Sequence, residues 1–206
     1  MKLPPLPPAV PAIAGKSWLR YLSKQALERS GWQVEQLPNV PKAVVIAAPH
    51  SSNWDGLIGV VAAFGIGLRI NWMGKHQLFR WPLAPVMRAF GGIPTVRDSA
   101  HGVVDQFSEK MRDADRMWLV LAPEGTRKKV AKWRTGFWHI ASRAGVPIIP
   151  GFLHYPEKKI GFGPPMMPTE NMEADLEKLY DFYRPFRGKN GKIGLPTSVA
   201  ELPAKI

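Results

Sequence analysis

Short apolar runs alternate along the chain with longer stretches in which apolar residues recur at helical spacing. The near-continuous runs at residues 43–48, 117–122 and 146–152 are typical of strands buried on both faces. Two shorter strands are predicted at 70–73 and 93–96. Because strands alternate with helices, the pattern predicts an α/β fold, a single-domain sandwich with a central mixed, mostly parallel β-sheet flanked by helices.

Helical spacing predicts one helix over residues 17–29 and another from the loop after residue 50 to about residue 67. Three further helices are predicted over 102–114, 135–144 and 171–183. The first helix has apolar Trp18 and Leu22 and basic Arg20. Two interpretations of it stay open, an ordinary surface helix and a basic amphipathic helix at a lipid interface.

The chain divides into three parts. At 206 residues it is long enough for one domain with a full core. The repeated prolines of residues 1–16 forbid helix and predict an extended N-terminal arm. The domain is predicted over 17–185, and a basic tail over 186–206.

The charge and the amino-acid composition favour some classes of partner and exclude some classes of site. The net charge of +12 attracts polyanions, whether nucleic acid, an anionic membrane or phosphorylated substrates. The strongest basic patch is the acid-free stretch 125–156, in which Trp133 and Trp138 are interleaved. The absence of cysteine excludes disulfides, thiolate metal sites and a cysteine nucleophile. The apolar stretch 56–68 is shorter than the roughly 20 residues of a membrane span, so we expect no crossing of the membrane.

The most informative segment is Pro49-His-Ser-Ser-Asn-Trp-Asp-Gly56, directly after a predicted strand. Residues five apart point away from each other on a helix, so His50 and Asp55 meet only if His50 lies in the loop and Asp55 on the first helical turn. Ser51, Ser52 and Asn53 are all suitable N-cap residues. A catalytic dyad and a helix-capping aspartate bonded to a histidine both fit this pattern. The helix N-terminus would also offer N–H groups to an anion.

A second segment, Ala122-Pro-Glu-Gly-Thr-Arg127, follows another buried strand, where α/β sheets place ligand sites. Its turn would hold the Glu124 carboxylate in place, and Arg127 would donate hydrogen bonds to a phosphate group. The alternative is a polar turn with a surface salt bridge. In a third segment, 91–98, Arg97 would bind phosphate, or would simply be solvated or paired with Asp98. The segment 146–150 carries no predicted chemistry.

Taken together, the four segments resemble the glycerolipid (lysophospholipid) acyltransferase family, enzymes similar to 1-acylglycerol-3-phosphate acyltransferase. The matching blocks are His-x4-Asp at 50–55, the Gly-x-Ile-type block at 91–97, Glu-Gly-Thr-Arg at 124–127 and Val-Pro-Ile-Ile-Pro at 146–150. They occur in the family's order and spacing, and the resemblance covers roughly residues 40–170.

The resemblance implies transfer of a fatty acyl group from acyl-CoA or acyl-carrier protein to the hydroxyl of a lysophospholipid-type acceptor, in membrane lipid synthesis. It implies that His50 is the general base and Asp55 its orienter, with direct attack and no acyl-enzyme. It also assigns Glu124, Gly125, Thr126 and Arg127 to the acceptor-binding block. Arg97 matches the phosphate-contacting arginine of the second block.

The chain departs from the family pattern in two places. Pro94 and Val96 stand where the family often has an aromatic and an acidic residue, and a shift of one residue would give the acidic role to Asp98. The long N-terminal anchor of many relatives is missing, so helix 17–30 and stretch 78–90 are the expected substitutes. Their candidate interfacial residues are Trp18, Trp81, Arg80 and Arg88. We therefore expect a peripheral protein on the cytoplasmic face of the membrane.

Two other functions use parts of the same pattern. An acyl-CoA thioesterase or lipid esterase would use the same base to activate water. A nucleic-acid-binding protein would explain the charge but none of the four blocks. The five histidines show no ligand spacing, so no metal site and no cofactor beyond the acyl donor are expected.

Overall fold

A seven-stranded β-sheet carries helices on both faces in the computed structural model, which describes residues 3–15, 17–82, 84–95, 100–126 and 128–200. The strands are β1 (Gln33–Val34), β2 (Lys42–Ala47), β3 (Asn71–Lys75), β4 (Gly92–Thr95), β5 (Met117–Leu121), β6 (Ile148–His154) and β7 (Lys159–Phe162). The helices are α1 (Ser17–Ser30), α2 (Asn53–Ile66), α3 (Ala84–Ala89), α4 (Ala100–Asp113), α5 (Gly136–Ala144), α6 (Met172–Tyr183) and α7 (Thr197–Ala200).

The strand order is β1-β7-β6-β2-β5-β3-β4. The five strands from β6 to β4 run parallel to one another, whereas β7 is antiparallel to β6 and parallel to β1. The predicted α/β sandwich with a mixed, mostly parallel sheet is therefore confirmed. Its central strands are buried because helices cover both faces, which explains their continuous apolar runs.

Each face of the sheet has its own core. On one face, Ile66 of α2 packs with Val45 and Trp118 of the sheet, and Leu27 of α1 packs with Ala62 of α2. On the other face, α4, α5 and α6 cover a larger core around β2 and β5. Its fully buried side chains include Val44, Ile46, Phe107, Met111, Leu119, Ile140 and Leu179.

The strands and helices predicted from the sequence are confirmed, with ends shifted by one or two residues. Helix α2 ends at Gly67, whose φ of 79° suits a glycine C-cap. The short edge strands β1 and β7 were missed. With two and four residues they are too short to show a recognisable periodicity. Their pairing defines them: β7 pairs with β6, and β1 pairs with β7.

The arm and the tail both contact the core within the described residues. Val10 of the arm is buried, and Ala12 forms an isolated bridge with Leu68. Leu195 of the tail is buried in the larger core. The predicted division of the chain into arm, domain and tail stays a prediction. In the described part of the chain, no helix is both long and apolar enough to span a bilayer.

Candidate active site

Three neighbouring parallel strands, β6, β2 and β5, end at the same edge of the sheet. The loop after β2 carries His50, the loop after β5 carries Glu124, and Tyr155 directly follows β6. Ligand sites of α/β sheets lie outside these carboxyl ends. The topology therefore gathers side chains that are up to 105 residues apart in the chain into one candidate site.

His50 and Asp55 face each other across the start of α2. Ser52 is the N-cap, and Asp55 completes a capping box as the third helical residue. Nδ1 of His50 lies 3.6 Å from Oδ2 of Asp55, and the Asp55 side chain is only 4% exposed while that of His50 is 30% exposed. Asp55 thus caps the helix and faces the imidazole at once, so the two interpretations of this segment do not exclude each other.

Five hydrogen bonds fix the Asp55 carboxylate. Its Oδ2 accepts from the backbone N–H groups of Ser51 (2.5 Å) and Ser52 (2.7 Å) and from the Ser51 hydroxyl (3.3 Å). Its Oδ1 accepts from the hydroxyls of Ser52 (2.8 Å) and Tyr155 (2.5 Å). Burial alone would raise the pKa of Asp55, but these hydrogen bonds outweigh it and hold the pKa below its ordinary value. The carboxylate is therefore both ionised and immobile at neutral pH.

The N-terminus of α2 does not present the open anion site expected from the sequence. The N–H groups of Ser51 and Ser52 bond to Asp55, and that of Trp54 bonds to the Ser52 hydroxyl at 3.2 Å. The negative charge at this helix end is thus Asp55 itself, which is the favourable position for it.

Glu124 connects the loop after β5 to the loop after β2. Its Oε1 accepts the backbone N–H of His50 at 2.6 Å, and the residue is 8% exposed. Burial raises the pKa of Glu124 to about 7; the His50 N–H and the charge of Lys192 oppose this shift, and the charge of Asp55 adds to it. Glu124 therefore fixes the backbone of the histidine, while Asp55 faces its ring.

Tyr155 was not predicted. Its hydroxyl donates to Asp55, and its ring packs edge-on against Trp32 with 5.1 Å between centroids. Burial and the hydrogen bond to Asp55 raise the pKa of Tyr155 to about 12, so the hydroxyl remains a donor. The only signal in the sequence was a tyrosine just beyond a buried strand. Its partner Asp55 can be identified only when the order of the strands in the sheet is known.

Two of the other predicted site residues, Gly125 and Thr126, lie in the exposed turn after Glu124. Gly125 has a φ of 63°, and a Cβ there would lie 2.8 Å from Nε of Arg134, so both backbone conformation and space favour glycine. Arg97 and Arg127 lie outside the described residues.

The tryptophans of the basic stretch 125–156 do not form an aromatic surface with its cations. Trp133 is 4% exposed and packs in the core against the rings of Tyr180 and Tyr183. Trp138 is half-buried and donates to Asp175 at 3.1 Å. Both rings turn inward because the apolar side of α5 and its preceding loop faces the core.

The candidate site holds two carboxyl groups, and protein donors already occupy both. Among the described residues, no group of three or more histidine, aspartate or glutamate side chains is arranged to bind a metal ion.

Comparisons with known proteins fit this arrangement. The chain resembles the crystal structure of PlsC, the 1-acyl-sn-glycerophosphate (LPA) acyltransferase from Thermotoga maritima, with a TM-score of 0.58 and 19% sequence identity. The alignment covers 80% of this chain and 75% of that chain, so the fold is shared. A search of curated protein sequences finds no match.

The model of a protein family, Acyltransferase, matches residues 31–153. This match spans more than half of the chain, from β1 into β6, and includes His50, Asp55 and Glu124. The family inferred from the four sequence blocks is therefore confirmed. The protein belongs to the acyltransferase family, whose members take an acyl donor and an acyl acceptor as substrates.

Proposed function

We propose that this protein transfers a fatty acyl group from acyl-CoA or acyl-carrier protein to the hydroxyl of a lysophospholipid-type acceptor, 1-acylglycerol-3-phosphate-like, in membrane lipid synthesis. His50 is the general base and Asp55 orients it. The observation that carries the proposal is the 3.6 Å approach of His50 Nδ1 to a buried carboxylate held by five donors. An imidazole oriented through Nδ1 accepts protons at Nε2.

The reaction needs one proton to move twice. Nε2 of His50 takes the proton from the acceptor hydroxyl as its oxygen attacks the carbonyl carbon of the thioester. The carbon–sulfur bond then breaks, and the departing thiolate takes the proton from the imidazolium. Asp55 stays ionised and stabilises the imidazolium between these steps. The products are an ester and a free thiol, and the base is regenerated.

Direct attack, without an acyl-enzyme, is favoured by the surroundings of the base. The chain has no cysteine. The two nearby serines have structural contacts: the Ser51 hydroxyl donates to Asp55 and accepts from the backbone N–H of Lys189, and the Ser52 hydroxyl donates to Asp55 and caps α2. Each hydroxyl therefore donates its proton to Asp55, whereas a serine nucleophile donates to its base.

A phosphorylated acceptor is favoured by charge. The net charge of +12 attracts an anionic lipid, and the turn at Glu124–Thr126 lies beside the base. The name of the PlsC structure adds support, because that enzyme acts on 1-acyl-sn-glycerophosphate.

We further propose that the face formed by α1, α2 and α3 lies on the cytoplasmic side of an anionic membrane. Of the nine exposed large apolar side chains in the described part of the chain, seven belong to these helices or the turn before α3. Basic residues such as Arg20 and Arg88 are exposed among them. The seven are Trp18, Tyr21, Leu22, Trp54, Leu57, Trp81 and Val86.

The test of the reaction is an assay of purified protein with radiolabelled acyl-CoA or acyl-carrier protein, with and without 1-acylglycerol 3-phosphate. We expect label in the diacyl lipid and thiol release that depends on the acceptor. Rapid thiol release without any acceptor would instead identify a thioesterase.

His50→Ala is expected to reduce transfer by at least about 10³-fold, because the base is lost. The matched control is His139→Ala, an exposed histidine on α5. Circular dichroism checks that both variants are folded. Transfer by folded His50→Ala at the rate of the control would remove His50 from the mechanism.

The membrane proposal is tested by flotation with vesicles of phosphatidylglycerol and of phosphatidylcholine. We expect preferential binding to the anionic vesicles, weakened at least severalfold in the double variant Trp18→Ser/Trp81→Ser. The control is Met167→Ser, an exposed apolar residue outside these helices. Equal binding by all three proteins would contradict the proposed face.

A further inference from the structure

The C-terminal segment 187–195, here called the strap, lies across the loop that carries His50, beyond the region matched by the family model. The backbone N–H of Lys189 donates to the Ser51 hydroxyl at 2.8 Å. A Cβ at Gly188 would lie 2.5 Å from that hydroxyl oxygen, and a Cβ at Gly194 would lie 2.5 Å from Cα of Pro49. The two glycines therefore allow a contact with the loop that no other residue would fit.

Both ends of the strap are fixed to the fold. At its start, the carbonyl of Arg187 accepts the backbone N–H of Tyr155 at 3.0 Å. At its end, the carbonyl of Gly194 accepts the indole N–H of Trp133 at 2.9 Å, and Leu195 is buried in the larger core. The strap thus contacts Ser51 and Tyr155, two of the residues that hold the Asp55 carboxylate.

The strap brings cations to the edge of the candidate site. Nζ of Lys192 lies 3.4 Å from the carbonyl oxygen of Ser51, the residue after His50. Nζ of Lys189 lies 5.7 Å from the centre of the Trp54 ring at the start of α2. Residues 184–200 contain no acidic residue, and the charge of Lys192 acts on the nearby Glu124, whose pKa it lowers.

We propose that the strap is part of the acceptor site and that Lys192 binds the phosphate of the acceptor, an inference that rests on the proposed function. In 1-acylglycerol 3-phosphate, two carbon atoms and an ester oxygen separate the reacting hydroxyl oxygen from the phosphorus. A lysine bonded to the residue after His50 is therefore placed to reach that phosphate. The phosphates of CoA are unsuited to this position because the pantetheine arm separates them from the thioester.

The test compares Lys192→Ala with the wild type on 1-acylglycerol 3-phosphate and on the uncharged acceptor monoacylglycerol. We expect the KM for the phosphorylated acceptor to rise about 10-fold, as for loss of a charge-assisted hydrogen bond. The KM for acyl-CoA should not change, and the rate with monoacylglycerol should fall much less than the rate with the phosphorylated acceptor. Lys192→Arg should restore most of the affinity. The matched control is Lys110→Ala, an exposed lysine on α4.

Three outcomes would overturn the inference. An unchanged KM for 1-acylglycerol 3-phosphate would remove Lys192 from the acceptor site. An equal loss with monoacylglycerol would reduce the strap to a structural support. A raised KM for acyl-CoA alone would assign the cation to the donor's phosphates.

Calorimetric titration of 1-acylglycerol 3-phosphate in detergent separates this inference from the proposed function. Weaker binding by Lys192→Ala than by the wild type supports the strap site even if the wild type transfers no acyl group. Equal binding by both proteins contradicts the strap site even if transfer by the wild type confirms the proposed function.

Discussion

Two carboxyl groups are buried at the same edge of the sheet, one after β2 and one after β5, and their pKa values shift in opposite directions. Asp55 receives five hydrogen bonds, and its pKa lies below the ordinary value. Glu124 is bonded to the single backbone N–H of His50, and burial raises its pKa to about 7. Burial penalises both charges, so the donors decide which group stays ionised.

The difference separates two tasks around one histidine. A charge that faces the imidazole needs a carboxylate that remains ionised, and Asp55 provides it. Holding the backbone of His50 needs only an acceptor oxygen, which Glu124 provides whether or not it is ionised. Substitutions that remove the charge or the donors can therefore test each task by itself.

The largest effect is expected from Asp55→Asn. The amide keeps the size of the side chain but loses the charge that orients and stabilises the imidazole, so kcat should fall by about 10³-fold or more. Steady-state kinetics of acyl transfer measure this, with Asp113→Asn on the exposed end of α4 as the control. Activity above a tenth of the wild type would mean that Asp55 serves only as the helix cap.

Glu124→Gln tests the other carboxyl group through stability. The unfolded carboxyl ionises near pH 4.5 and the folded one near pH 7, so the wild type loses stability as the pH rises between these values. Glutamine still accepts the N–H of His50 but carries no charge. The variant should therefore exceed the wild type in free energy of unfolding by up to about 3 kcal/mol at pH 8, and by little near pH 4.5.

Urea unfolding at pH 4.5, 6, 7 and 8 measures this difference, with Glu109→Gln on the exposed side of α4 as the control. A constant difference between Glu124→Gln and the wild type across the pH range would contradict the raised pKa.

A smaller effect is expected from Tyr155→Phe, which removes one donor to Asp55 and keeps the ring beside Trp32. The kcat should fall about 10-fold, the usual effect of losing a hydrogen bond to a charged group, with little change in KM. The pKa of Asp55 should rise without this donor, so the variant should lose less stability than the wild type as the pH falls through the acid range, measured by urea unfolding.

Tyr21→Phe, at an exposed position on α1, is the control for this substitution. A lower kcat with the same acid dependence of the free energy of unfolding as the wild type would show that Tyr155 acts only through packing.

The smallest effect is expected from Ser52→Ala, which removes the N-cap hydroxyl and a second donor to Asp55. The free energy of unfolding should fall by about 1 kcal/mol, as for other helix caps. Thermal unfolding compares it with Ser142→Ala on the exposed side of α5. If both variants are as stable as the wild type, the cap contributes nothing measurable.

Local patterns were enough to predict the sheet and most of its helices. The apolar runs that became β2, β5 and β6 are continuous because both faces of each strand are covered. The serines before α2 predicted a helix start, and Ser52 is its N-cap. These features depend on residues that are close in the chain.

The position of His50 and Asp55 followed from helix geometry alone, since the pair can meet only across a helix start. Their shared surroundings did not follow. Glu124 is 74 residues from His50, and Tyr155 is 100 residues from Asp55. Contacts between such distant residues depend on which strands are neighbours, and periodicity does not contain that order.

By itself, the sequence determined the type of fold, the acyltransferase family and the loop that carries the imidazole and its carboxylate. The tertiary structure decided what surrounds that pair: Tyr155 on one oxygen of Asp55, Glu124 under the backbone of His50, and the strap across the loop. The physical reason is that pKa values and orientation depend on burial and on donors in space. Those come from the order β6-β2-β5 and from a C-terminal segment folded back over it.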